Sequence, residues 1–200
     1  MSDAIAPLVL FDLDGTLLDS ARDLHAAMNT LLSQKSEPPV AFEEFRPVVS
    51  KGARAMLKQS FKQADDALRE SLLPEFLAIY EQGLAEHSRL FDGIDAVLGY
   101  IEARSARWGI VTNKPYYLAE PLVSKLGWHG RSAILLGGDS LPRKKPDPDQ
   151  LLHACAALSV EPEQVVYIGD DERDVQAANA ANMRSIGALW GYRPADDDPL

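Results

Sequence analysis

The chain has 200 residues, 46% of them hydrophobic and 25% charged, which suffices for one good core with a smaller insertion. Its 20 Lys and Arg against 30 Asp and Glu leave a formal charge of −10, and this argues against a nucleic-acid backbone as partner. No run of about 18 apolar residues occurs, and the opening MSDAIAP has neither the basic nor the long apolar stretch of a secretory signal; no membrane partner and a cytoplasmic location are expected.

In chain order, the apolar run Leu8–Phe11, closed by Asp12 and Gly15, reads as a buried strand of a parallel sheet. A helix from Asp19 to Leu32 follows, with Leu24, Met28 and Leu31 as its apolar stripe and Asp19 or Ser20 as its cap. KSEPPV breaks it and FEEFRPVV resumes. Ser50–Phe61 reads as a loop around Gly52 leading into a short helix with Met56 and Leu57. Asp65–Gly83 is helical through Leu68, Leu72, Phe76 and Ile79, with Pro74 placed to divide it. No strand is expected between the first and about residue 106. That much helix is too long for a simple crossover, so residues 20–88 are expected to form an inserted, all-helical cap domain.

After Phe91-Asp92-Gly93 the pattern becomes regular. A helix carries Ile94, Val97, Leu98 and Ile101, a strand covers Trp108–Val111, and a helix runs through Leu118, Leu122 and Leu126. The strand SAILLGG, a helix at Pro148–Leu158, the strand VVYIG, a helix at Glu172–Ala181 and a last strand at Ser185–Trp190 complete the series. Strands alternating with helices predict an α/β fold, a doubly wound, Rossmann-like parallel sheet built from residues 1–19 and 89–200. The one cysteine, Cys155, keeps helical spacing with Leu151 and Leu158 and reads as core filling. The four histidines are scattered, without zinc spacing.

Four polar clusters follow predicted strands or precede a helix. Asp12 and Asp14 stand two apart at the end of the first strand, where both can face one way while Leu13 faces the core. Two readings are open: a solvated DLDG turn, or a metal-supported nucleophile at Asp12 beside an acid/base at Asp14. In VTNKP, the Thr112 hydroxyl and Asn113 amide either hold phosphate oxygens or cap a helix. In RKKPDP, Lys145 is flanked by a proline that restricts its backbone, so it either faces an anion or belongs to a solvated basic cluster. In GDDERD, Asp170, Asp171 and Asp174 after a buried strand offer hard oxygen ligands suited to Mg²⁺.

Together, DLDGT, VTNKP, KKPDPD and GDDERD, in that order over essentially the whole chain, resemble the haloacid-dehalogenase superfamily of phosphohydrolases. The resemblance implies a phosphatase using Mg²⁺ on a small-molecule phosphate ester, with Asp12 phosphorylated and Asp14 as general acid/base. It implies phosphate contacts from Thr112 and Lys145, and metal ligation by Asp12, the Asp14 carbonyl and Asp170, with Asp174 reaching the ion from further out and Asp171 holding a water or a neighbouring ligand. The cap loop should lie over the site, with Lys51, Gly52 and Arg54 joining Asn113 in substrate binding. Within the superfamily the flavour of SKGARAM, HSRLFDG and RKKPDPDQLLHAC resembles the phosphoglycolate-phosphatase-like group, more narrowly bacterial N-acetylmuramic acid 6-phosphate phosphatases of cell-wall recycling. The preferred expectation is therefore a sugar phosphate; phosphoglycolate or another small organic phosphate is the alternative, and a sugar phosphomutase a more distant one. Family members continue past the strand expected at Leu189–Tyr192 with one more strand and a helix, whereas this sequence ends at Leu200, a departure bearing on edge-strand protection more than on chemistry.

Overall fold

The run Leu8–Phe11 forms β1, buried along its length at the centre of a five-stranded sheet, in a computed structural model that describes residues 5–192. Alternate residues serve opposite faces: Val9 and Phe11 join one apolar cluster, Leu8 and Leu10 the other. Burying each such side chain stabilises the fold by about 1.5–3 kcal/mol, so a polar substitution in β1 would disrupt the layer that its side chain faces. β4 (Arg107–Val111) and β6 (Val165–Gly169) pair with β1 in parallel, and β5 (Leu135–Leu136) and β7 (Arg184–Gly187) lie outside them. Helices α5 (Ile94–Glu102) and α6 (Tyr116–Lys125) supply Leu98, Ile101 and Leu122 to one cluster. Helices α7 (Asp149–Leu158) and α8 (Glu172–Ala180) supply Leu151, Cys155 and Ala177 to the other, so the sheet is doubly wound.

Between β1 and α5 the chain forms β2 (Leu18–Asp19), α1 (Ala21–Gln34), α2 (Phe42–Phe45), a 3₁₀ turn at Arg46–Val48, α3 (Ala53–Ser60), α4 (Asp66–Gln82) and β3 (Arg89–Leu90). β2 and β3 pair antiparallel, Leu18 with Leu90 and Asp19 with Arg89. They correct the expectation of no strand before residue 106: two residues are too few to show a period. Helix α1 starts at Ala21, not Asp19; the Ser20 side chain makes no cap bond, and of the two expected caps only Asp19 contributes, its Oδ1 accepting from the Ala21 amide at 3.4 Å. The distant Tyr192 hydroxyl shares that part, accepting from the amides of Ser20 (2.6 Å) and Ala21 (3.1 Å). Helix α4 runs unbroken through Pro74, its halves held by buried Leu72, Phe76 and Tyr80, while Leu68, expected on that stripe, is half exposed.

Two strands are shorter than expected. SAILLGG reduces to Leu135–Leu136 because its glycines form a close backbone crossing: a Cβ at Gly137 would lie 2.5 Å from the Tyr116 backbone, and one at Gly138 2.3 Å from the Asn113 carbonyl oxygen. β7 stops at Gly187, so the strand expected at Ser185–Trp190 exists only in its first three residues, and Leu189–Tyr192 is not a strand. The chain turns after Ala188, whose amide makes the last bond to β6, and Trp190 Nε1 then donates to the Thr16 carbonyl (3.0 Å). The end of the chain past Tyr192, where a departure from other family members is expected, lies outside the described residues. Among the described residues no helix is long and apolar enough to cross a membrane.

Candidate active site

The C-terminal ends of β1, β4 and β6 open on one cavity of about 400 Å³, roofed by residues of α1, α3 and α4. Parallel strands bring their carboxyl ends to one edge, which is why clusters some hundred residues apart in sequence meet here. After β1 the chain turns tightly, with the amides of Leu17 and Leu18 both donating to the Leu13 carbonyl. Leu13 is fully buried, while Asp12 and Asp14 both border the cavity, as the alternation predicts. The turn needs Gly15 at φ +84°, where a Cβ would sit 2.2 Å from Asp170 Oδ2.

Three buried carboxylates converge: Asp12, Asp170 and Asp174 each offer one oxygen within 4.8 Å of the others. Burial is the main cause that raises Asp12 from 3.8 to about 7; the Lys145 ammonium opposes it, and Asp174 and Asp170 add to it. Burial likewise lifts Asp170 to about 6, against hydrogen bonds from Ser50 Oγ and the Tyr192 amide. Such a cluster carries more negative charge than its lysine cancels, and its donors are all carboxylate oxygens. It therefore fits a hard divalent cation. Asp174 has both oxygens engaged, its Oδ1 accepting from Lys145 Nζ (2.6 Å) and its Oδ2 from the Asp171 amide (3.0 Å). Asp12 Oδ1 lies 3.0 Å from Lys145 Nζ but off the axis of a hydrogen bond, and has no other partner.

Lys145 is buried, and although burial disfavours its charge, Asp12 and Asp174 outweigh that and raise its pKa. Its Nζ also donates to the Tyr167 hydroxyl (2.6 Å), which donates on to the Val111 carbonyl (2.8 Å). Thr112 is buried beside the cavity. Asn113 uses its amide to fix the Lys145 loop, donating to the Lys145 carbonyl (2.9 Å), and its buried Oδ1 has no partner. Asp171 caps α8 in a reciprocal capping box with Asp174. Burial pushes its pKa up, but hydrogen bonds from Arg173 and Lys51 win and lower it.

From the helical segment, Ser50 Oγ donates to Asp170 Oδ2 (2.6 Å), Lys51 Nζ lies 2.9 Å from Asp171 Oδ2, and Gly52 borders the cavity at φ +91°. Arg54 also lines the cavity, yet its guanidinium forms a two-pronged, solvent-exposed pair with Glu70 (2.8 and 2.6 Å). Leu24, Met56, Leu73, Leu77 and Leu118 give the cavity an apolar wall.

Several contributors are not evident from the sequence. Lys114 stands inside VTNKP, where only the hydroxyl and the amide suggest a role. Its Nζ contacts both Asp14 oxygens (3.3 and 3.1 Å) and the Tyr80 hydroxyl (2.8 Å). Tyr80 is buried, and burial first, then the charges of Asp14 and Asp23, keep its phenol protonated. Ser20 Oγ donates to Asp14 Oδ1 (2.5 Å). Ser50, Tyr80, Tyr167 and Tyr192 carry no local signal.

Against known proteins, the family model described as haloacid dehalogenase-like hydrolase matches residues 9–188. A phosphoglycolate phosphatase of Xanthomonas campestris pv. campestris is 54% identical over 192 residues, 96% of this chain and 87% of the relative. An N-acetylmuramic acid 6-phosphate phosphatase of Pseudomonas aeruginosa is 42% identical over 192 residues, 96% of this chain and 85% of the relative. The crystal structure of a protein from Haemophilus somnus, named a predicted phosphoglycolate phosphatase, superposes with a TM-score of 0.85 at 27% identity, covering 96% of this chain and 89% of that one.

Proposed function

Because the chain belongs to the haloacid dehalogenase-like hydrolase family, we propose that it hydrolyses phosphate monoesters in two steps through a phosphorylated Asp12. The observation that carries this reading is the placement of Asp12: at the end of β1, facing the cavity, beside the Lys145 ammonium and two further carboxylates, with Asp14 along the same edge.

Asp12, Asp170 and the Asp14 carbonyl would hold the divalent ion, taken as Mg²⁺, with Asp174 behind them. When bound, the ion supplies the positive charge that lets a carboxylate approach a phosphate dianion. In the first step an Asp12 oxygen attacks phosphorus in line as the bond to the leaving oxygen breaks, and Asp14 gives its proton to that oxygen. In the second, Asp14, now a carboxylate, takes a proton from the water that attacks the same phosphorus; the Asp12–phosphorus bond breaks and inorganic phosphate leaves. Lys145 and Thr112 receive the phosphoryl oxygens, where preorganised donors act most strongly. Residues 20–88 act as a cap that keeps bulk water out, Ser50 and Lys51 tying it to Asp170 and Asp171.

The substrate is an amino-sugar phosphate of the N-acetylmuramic acid 6-phosphate type. What supports this is the cavity: about 400 Å³, within the range of sites for sizeable organic ligands, with an apolar wall from Leu24, Met56, Leu73, Leu77 and Leu118. A two-carbon acid has nothing to set against that wall. The second reading, phosphoglycolate, rests on the 54% identical Xanthomonas relative. Lys51 suits a carboxylate in either substrate and does not rank them. Side-by-side kcat/KM on the two esters, with inorganic phosphate measured as product, tests both. A preference of about 100-fold for phosphoglycolate, about 2.7 kcal/mol in transition-state discrimination, would overturn the amino-sugar reading, and an isomeric sugar phosphate in place of free phosphate would make the enzyme a mutase.

A further inference from the structure

Resting on the phosphatase reading above, we propose that Lys114 is a positioning residue for Asp14, and that Tyr80, from the helical segment, holds Lys114 in place.

Asp14 has two demands on it in one cycle. It must be a neutral carboxylic acid while the leaving oxygen departs and a carboxylate while water attacks. A carboxyl group free to rotate would serve neither step, and this one is gripped from two sides. Ser20 Oγ donates to Oδ1 at 2.5 Å, and Lys114 Nζ straddles both oxygens at 3.3 and 3.1 Å. Lys114 is itself fixed, its side chain only 5% exposed. An ammonium has three protons and no acceptor capacity, and the two Asp14 oxygens with the Tyr80 hydroxyl at 2.8 Å account for all three.

Tyr80 fixes Lys114 from the helical segment, with its hydroxyl 2.8 Å from Nζ and its ring centroid 4.4 Å away. The three residues also come from different parts of the chain: Asp14 follows β1, Lys114 follows β4, and Tyr80 lies near the end of α4 in the helical segment. The acid/base thus has its full set of partners only when α4 is seated on the sheet edge.

The test uses two esters that differ in their need for a proton. Loss of an alkoxide from N-acetylmuramic acid 6-phosphate or phosphoglycolate, whichever the wild type turns over faster, requires an acid; loss of p-nitrophenolate does not. Since kcat/KM reports steps up to formation of the phosphorylated enzyme, it isolates the acid half of the cycle. Lys114→Met and Tyr80→Phe are each expected to lose on the order of 10-fold or more in kcat/KM on the alkyl ester and less than about threefold on p-nitrophenyl phosphate, the larger loss falling within the usual worth of a positioned proton donor. A purely structural role would lower both esters alike. If Lys114→Met does not fold, Tyr80→Phe keeps the ring and its packing, and decides alone. Equal losses on the two esters, or no loss in Tyr80→Phe, overturns the proposal. A wild-type protein inert on both esters is a separate outcome, which overturns the phosphatase reading and the proposal with it.

Discussion

Stripping the metal should make this protein less stable as the pH rises, and Asp12 should be the chief cause. Without a cation, Asp12 is raised from 3.8 to about 7 and Asp170 to about 6, burial leading in both. Each binds its proton more tightly folded than unfolded, so folding takes up protons between pH about 4 and 7, and stability falls as pH climbs through that window. At about 1.4 kcal/mol per pH unit, the Asp12 shift is worth on the order of 4 kcal/mol, of which about 3 kcal/mol lies above pH 5. Asp170 adds less than its own shift suggests, because the two carboxylates feel each other and Asp174. For a chain of this size about 3 kcal/mol is a fall in Tm of roughly 6–12 °C between pH 5 and 8. Excess Mg²⁺ should flatten the slope, since the cation takes the proton's place, and at about 100 times its Kd it adds about 2.7 kcal/mol. The assay is thermal melting at pH 5, 6.5 and 8, in chelator and in Mg²⁺, on wild type and Asp12→Asn. Any fixed cost of leaving Lys145 without its partner is the same at each pH, so the stability of the variant minus that of wild type in chelator should move in favour of the variant as pH rises. A difference that stays constant from pH 5 to 8 refutes the reasoning.

Asp14→Asn should retain the Tm increment from Mg²⁺, because its backbone carbonyl is intact, yet lose on the order of 10²-fold or more in kcat. An unchanged rate removes Asp14 from the proton-transfer role. Gly15→Ala forces a Cβ to within 2.2 Å of Asp170 Oδ2 at φ +84°. It should cost about 1–2 kcal/mol in backbone strain alone and, by displacing Asp170, shrink the Mg²⁺-dependent rise in Tm; an undiminished rise would show that Asp170 is not needed for the ion.

The parts of the molecule readable from sequence are those where one physical rule acts over several neighbouring residues. Leu8–Phe11 and Val165–Gly169 are continuous apolar runs because both faces of a parallel strand are covered, and the polar residues that end them mark the ligand edge. The parts that cannot be read this way depend on partners far along the chain. Tyr192 caps α1 across about 170 residues of sequence, and no local pattern announces it. Ser50 reaches Asp170 across 120 residues, and Tyr80 meets Lys114 only because the end of α4 reaches the loop that follows β4. The SAILLGG strand falls short of its expected length for a different reason: its two glycines serve to let two backbones cross, a close approach that only the folded chain reveals.

The pairing of Leu18 with Leu90 and Asp19 with Arg89 means that the chain leaves the sheet edge and returns to it at the same spot. For a segment whose two ends already meet, each doubling of its length adds only about 0.6 kcal/mol of closure entropy. The stretch between them can therefore change in length at little entropic cost without altering the register of β1, β4 and β6, provided that its contacts to Asp14, Asp170 and Lys114 are kept. Asp12, Lys145 and Asp170 would stay where they are while the walls above them change. In a lineage built this way, the walls that face the substrate can diverge while the few residues of the segment that touch the catalytic groups, Ser20, Ser50 and Tyr80, stay in place.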